Sequence, residues 1–306
     1  MSNPPGRPDP LAVGSLAVAV VAVSSSAPLI AFAVAPALAI AFWRNALSLT
    51  VLGPYSLIRR RDEFGAMSRR DVSFCALAGV ALAAHFAFWV PSAKLTTVAA
   101  STALVATQPV WQGLIAVAQR RRLPVVTWVG IGIAVLGAVL ATGADIGHSG
   151  SAVLGDVLAL LGGVAAAVYT ALGERARSTI STTTYTTICY GVCAVLLLAV
   201  CLVGGVRLGG YPGTTWLAIL GLVVGAQLLG HSMFNYALRR VSATTVSVLI
   251  LLEVPGAALI AWLWLGQTPR PAALPGLALL VVGVAVVVVG GAYAGARRRA
   301  AGEPVG

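Results

Sequence analysis

Leu77-Ala-Gly-Val-Ala-Leu-Ala-Ala-His-Phe-Ala-Phe88 and Val223-Val-Gly-Ala-Gln-Leu-Leu-Gly-His-Ser-Met-Phe234 are the same pattern written twice. The two stretches lie 146 residues apart and match at Gly79/Gly225, Leu82/Leu228, His85/His231 and Phe88/Phe234. The register holds without a gap through Ser101/Ser247, Pro109/Pro255, Gly130/Gly276 and Gly137/Gly283. Chance pairs glycines and leucines readily, but it rarely pairs a histidine and a mid-segment proline in one register. The chain is therefore a tandem repeat, and a fixed internal period governs the whole fold.

Composition sets the solvent. Of 306 residues, 58% are hydrophobic and 9% are charged, against about 45–50% and about a quarter in soluble domains. So few charges cannot cover a water-facing surface, which excludes a soluble globular enzyme, and so much apolar character excludes disorder. The apolar residues fall into runs of the length a helix needs to cross hydrocarbon, about 20 residues. Breaks at prolines and basic clusters predict spans near 11–30, 36–58, 72–90, 95–118, 124–142, 153–173, 183–204, 214–237, 241–265 and 271–292. The expected fold class is an all-α integral membrane protein of ten transmembrane helices in two inverted five-helix repeats. Five is odd, so the second copy enters the bilayer the other way up, as in many transporters.

Expected boundaries follow. Residues 1–10 form a cytoplasmic tail, 11–142 the first repeat, 143–152 an extracytoplasmic linker, 153–292 the second repeat and 293–306 a basic cytoplasmic tail. The start of the chain does not read as a cleaved signal, because no cleavage site ends the first apolar run.

The net charge of +11 reads as topology rather than as a nucleic-acid surface. With ten spans both termini lie on one side. That side collects sixteen Lys and Arg residues, including Arg59–Arg61, Arg120–Arg122, Arg177, Arg239 and Arg240. The other side collects three: Lys94, Arg207 and Arg270. The positive-inside rule makes the first side cytoplasmic, which places the protein in the cytoplasmic membrane with the bilayer and a small-molecule substrate as partners and a homodimer left open. Cys75, Cys189, Cys193 and Cys201 all lie inside apolar runs and read as small core residues.

Two full charges lie deep inside spans, Arg44 and Glu253. Such charges are costly and mark substrate or ion pathways, or pair with each other. Both are expected at a central cavity, with Arg44 suited to a carboxylate or phosphate and Glu253 to an amine or a coupling proton. A mutual ion pair is the competing reading. His85 and His231 titrate in the physiological range and suit a proton relay, or else bridge helices structurally. Trp89 and Asn235 follow them by four residues, on the same helix faces. Pro109 and Pro255 kink their spans, and Gln108 sits beside the first kink. The hydroxyls of Ser24–Ser26, Thr244, Thr245 and Ser247, and the Gly221/Gly225 pair, suit close helix packing.

Three stretches resemble EamA-type members of the drug/metabolite transporter superfamily: Phe42-Trp43-Arg44-Asn45-Ala46-Leu47, Gln108-Pro109, and the region from Leu238-Arg239-Arg240-Val241-Ser242-Ala243 through Leu252-Glu253-Val254-Pro255 to Leu263-Trp264-Leu265-Gly266. Ser24-Ser25-Ser26 stands where the family often has Trp-Gly, and Val254 separates Glu253 from Pro255. The resemblance implies ten helices around a substrate cavity and export of amino acids or related small metabolites, driven by protons or exchange. An organic-phosphate or nucleotide-sugar exchanger is the near alternative, although Arg44 alone is few cations for it. A non-transporting scaffold is the other. The sequence contains no HExxH and no GxxxxGK[ST], so neither a metalloprotease, nor an ATP-driven pump, nor any cofactor is expected.

Overall fold

An apolar chain in hydrocarbon has only its own backbone to satisfy its N–H and C=O groups, so it folds as helices. The computed structural model describes residues 10–96, 98–142, 150–266, 268 and 271–300, and among these no strand occurs. The first half runs α1 (Pro10–Ser24), α2 (Ser26–Phe32), α3 (Ala37–Arg59), α4 (Arg61–Ala66), α5 (Arg69–Leu95), α6 (Val98–Val105), α7 (Gln108–Ala118) and α8 (Val125–Thr142). The second runs α9 (Gly150–Ala176), α10 (Thr182–Val203), α11 (Gly213–Gly221), a π-helical segment (Leu222–His231), α12 (Ser232–Ala237), α13 (Ala243–Ile250), α14 (Glu253–Leu265) and α15 (Leu274–Ala300). Six of the continuous apolar stretches are long enough to cross a membrane, and Val125–Ala141 and Leu274–Gly290 are shorter apolar helices. The expected tail 1–9, the linker residues 143–149, and Gln267, Arg270 and 301–306 lie outside the described residues.

Burial is inverted relative to a soluble protein. Val203, Ile58 and Leu263 are largely exposed, whereas Arg44, Asn45, Ser48 and Gln227 are fully buried. Aliphatic side chains face outward where lipid would lie, and polar ones face inward where they find partners.

The repeat is visible in the packing. α8 lies antiparallel to α15, its mate in the repeat, and the matched glycines meet crosswise. A Cβ on Gly137 would come within 2.7 Å of the Gly276 carbonyl oxygen, and one on Gly130 within 3.0 Å of the Gly283 carbonyl oxygen. The same operation relates α5 on α9 to the π segment and α12 on α1, and α3 on α10 to itself. Gly225 abuts Ser25 and Gly221 abuts Leu29, as packing glycines should. The four cysteines are buried and free.

Several spans differ from the sequence expectation. No break occurs at Pro91–Lys94, where α5 continues to Leu95. Gly155 and Gly162 let α9 lie directly against Thr96 and Trp89, and that packing holds the helix through Pro91. The last helix does not stop at 292 but runs to Ala300; Ala and Arg favour helix, and Gly302 and Pro304 come only afterwards. The span 214–237 is not uniform α-helix, since ten residues are π-helical.

At the arginine-rich end, short α4 is stapled to α10. Glu63 accepts hydrogen bonds from Ser181 N (2.5 Å), Ser181 Oγ (2.6 Å) and Thr184 Oγ1 (2.7 Å). Partial burial pushes the Glu63 carboxyl up, but these three donors outweigh it and hold it below the usual carboxylate range. Its stabilising contribution is therefore present above the ordinary carboxylate pKa and disappears as pH falls through the lower folded value. Glu63→Gln should lower the unfolding midpoint in detergent at neutral pH, by about 1–2 kcal/mol for charge-assisted bonds in a half-exposed position. The difference from wild type should shrink on acidification, and an undiminished difference at low pH would contradict the assignment.

Candidate functional site

Two helices stop and restart in mid-span. α6 ends at Val105 and α7 begins at Gln108; α13 ends at Ile250 and α14 begins at Glu253. The cause is Pro109 and Pro255, which fit the first turn of a helix but not its interior. Around Pro255 the chain tightens to three-residue hydrogen bonds: Leu251 N to Val248 O, Leu252 N to Leu249 O and Val254 N to Leu251 O, each 3.1 Å. The prolines therefore do more than bend their spans. They set Gln108 and Glu253 at the first residues of half-helices, where the backbone dipole favours negative charge.

Both restarts face one central cavity. It has about 50 Å3 of room for the centres of water-sized molecules, and about 710 Å3 of empty space counting its mouth. The first repeat contributes His85, Trp89, Thr102 and Gln108. The second contributes Tyr169, Thr170, His231, Asn235 and Glu253, and Ser26 adds a hydroxyl from α2. Six of the seven residues expected to bind or couple thus meet in one place, drawn from both repeats.

The repeat mates His85 and His231 face each other with ring centroids 6.3 Å apart. His85 also stacks on Trp89 at 5.6 Å, with the rings 10° from parallel. Its Nδ1 lies 2.9 Å from the Gly162 carbonyl oxygen. A carbonyl only accepts, so Nδ1 carries a hydrogen, which in the neutral ring leaves Nε2 its lone pair. Asn235 Nδ2 donates to Tyr169 Oη at 2.5 Å, and Gln108 Nε2 donates to Thr170 Oγ1 at 3.0 Å. Two lining groups remain open. The Glu253 carboxyl lines the cavity without a hydrogen bond to any described residue, and the buried Trp89 Nε1 has no acceptor.

Arg44 corrects the expectation. It does not line the cavity but lies in the layer behind it, fully buried. Its Nε donates to Gln227 Oε1 at 2.9 Å, one Nη reaches Ser26 Oγ at 3.4 Å, and its guanidinium sits 4.2 Å from the centre of the Phe86 ring. Gln227 Nε2 in turn donates to Asn45 Oδ1 at 2.9 Å. No ion pair joins Arg44 to Glu253, so the mutual-neutralisation reading fails at the level of contact. Ser26 is the one hydroxyl that touches both the cavity and Arg44. Ser24 and Ser25 bond back to Val20 O and Ala22 O in their own helix. Ser247 does the same with Thr244 O, and Thr245 bonds the Ser242 cap.

Gln227, Tyr169, Thr170 and Thr102 were missed. The repeat register held a signal for the first: Gln227 stands opposite Ala81, the sole amide among small and aliphatic residues of that stretch. Its placement depends on the π segment, which has no proline to announce it. Ser232, where the π segment ends, donates its hydroxyl to Gln227 O at 3.2 Å.

The model of the EamA-like transporter family matches residues 11–143 and 153–289, one match per repeat. The chain belongs to the EamA-like transporter family. It is a multi-pass membrane protein of a family of membrane transporters. One solved crystal structure has a TM-score of 0.74 at 19% identity, over 91% of this chain and 96% of its own; that likeness speaks to the fold alone. No curated protein sequence matches this one.

Proposed function

We propose that this chain is a secondary active transporter of the cytoplasmic membrane. Ten spans in two inverted five-helix repeats, bounded at 11–142 and 153–292 with both termini cytoplasmic, carry amino acids or related small metabolites outward by alternating access. The observation that carries this reading is the central cavity lined by polar groups from both repeats, with the Glu253 carboxyl, unbonded to any described residue, at the start of a half-helix. α3, the α6–α7 pair and the two shorter apolar helices would bring the six long stretches to ten, and discontinuous helices meeting at a midplane site suit alternating access.

The chemistry fits a small zwitterion. Glu253 accepts an amine, the Trp89 Nε1–H donates to a carboxylate, and the rings of His85, Trp89 and Phe234 flank a side chain. The narrow volume corresponds to a closed state that must widen to load. A phosphate-bearing substrate fits less well, because Arg44 is turned away to Gln227 and Ser26.

Flux in proteoliposomes tests this. A panel of amino acids, sugar phosphates and cationic drugs is loaded with and without a pH gradient. Movement of amino acids, stimulated by the gradient or by amino acid on the far side, is expected. Flux confined to phosphates would replace the substrate class, and no flux for any compound would favour a scaffold.

A further inference from the structure

Arg177 was counted above among the charges that set topology. The structure buries it instead, with 2% of its surface exposed. Its Nε donates to the Asn235 carbonyl oxygen at 3.0 Å, while Nη1 has no partner. Burial, followed by the nearby Arg239, lowers its pKa to about 10, so the group stays cationic at neutral pH. A buried cation normally has a counter-charge. Glu63 acts on it electrostatically but makes no ion pair with it, and its oxygens accept from Ser181 and Thr184.

Arg177 lines a second cavity, at the end of the bundle that carries the arginine-rich loops. This cavity has about 780 Å3 of room for water-sized molecules, far more than the central one. Arg60, Arg239 and Arg240 line it with Arg177, and Thr182, Thr183 and Ser232 add hydroxyls. Among the described residues, no Asp or Glu lines it. The four arginines come from three different connections: the α3–α4 turn for Arg60, the α12–α13 turn for Arg239 and Arg240, and the residue just past α9 for Arg177. Arg177, Arg60 and Arg239 bring like charge to one hollow with no acid among its described lining residues, and an anion among them would relieve their repulsion.

We propose that this hollow is an oxyanion site, taking a carboxylate or phosphate group, with Arg177 at its base and Arg60, Arg239 and Arg240 at its rim. Forked guanidiniums suit both anions. The site is separate from the central cavity but adjoins it through Asn235, whose carbonyl meets Arg177 and whose side chain meets Tyr169. An anion bound here therefore bears on the residue that shapes the central wall. The source is a soluble solute or an anionic lipid headgroup, which share this chemistry.

The test is binding, which needs no flux and so succeeds or fails apart from the transport reading. Full-length protein in uncharged detergent is titrated with labelled inorganic phosphate. The same protein in nanodiscs of phosphatidylcholine, with or without phosphatidylglycerol, is assayed for retained lipid by native mass spectrometry. Saturable phosphate binding identifies a solute site; retention of phosphatidylglycerol without phosphate binding identifies a headgroup site. In either case Arg239→Gln/Arg240→Gln, both exposed and so compatible with folding, should weaken the retained ligand at least about tenfold, the loss expected for two charge-assisted contacts. Arg177→Gln should remove it. Substituting Arg297, Arg298 and Arg299 by Gln should leave it unchanged. Binding of neither probe, or equal losses in the tail variant, would overturn the site.

Discussion

Glu253→Gln is expected to reduce flux by about ten- to a hundredfold while leaving expression and unfolding temperature near wild type. The amide keeps the shape and loses the charge. A charge-assisted hydrogen bond contributes about 1.5–3 kcal/mol, and each 1.4 kcal/mol is a factor of ten. Stability should be spared because the carboxyl makes no hydrogen bond to any described residue and no ion pair with Arg44. It stands at the first residue of α14 and lines the central cavity. Two readouts separate its roles. Loss of stimulation by a pH gradient with exchange intact assigns it to proton coupling; loss of both with weakened substrate binding assigns it to the amine. Wild-type flux in this variant would remove Glu253 from the transport pathway.

Charge in an apolar run is rare and costly, so Arg44 and Glu253 were conspicuous from composition alone. The histidines were conspicuous because the repeat duplicated them, and their meeting at 6.3 Å follows from the pseudo-twofold relation between the halves. The glycines that match across the repeat meet at the α8–α15 crossing for the same reason. Symmetry relates sequence position to spatial position, and everything on or near the axis became legible through it.

What breaks the symmetry stayed hidden. Arg44 corresponds in the repeat register to Tyr190, Phe86 to Ser232 and Ala81 to Gln227. In one repeat a guanidinium lies over an aromatic ring; in the other Tyr190 Oη lies 3.2 Å from Ser232 Oγ. The π segment, absent from the matching stretch of α5, turns Gln227 toward Arg44. Local propensity does not encode a π segment, which forms because tertiary contacts favour it. Arg177 was misread for a related reason. A basic residue at a helix end is ordinarily solvated, and only the packing of three connections around it encloses it.

Arg44 should behave in the opposite way to a structural ion. Arg44→Met alone strands the Gln227 carbonyl in a buried layer, which costs about 1–3 kcal/mol. Arg44→Met/Gln227→Leu removes both partners and relieves a guanidinium whose second Nη has no acceptor. Replacing a buried charge together with its partner by apolar groups is often neutral or stabilising. The double variant leaves Asn45 Oδ1 without its donor from Gln227, so it should unfold above Arg44→Met and near the wild-type temperature in detergent, yet carry no substrate in proteoliposomes. Arg44→Lys should fail as well, because a point charge cannot lie flat on Phe86 while bonding Gln227 and Ser26. The comparison that decides is which second substitution restores stability to Arg44→Met. The observed contacts require that it be Gln227→Leu. Rescue by Glu253→Gln instead would mean that the two intramembrane charges are partners after all, and that the open carboxyl of Glu253 is not waiting for substrate.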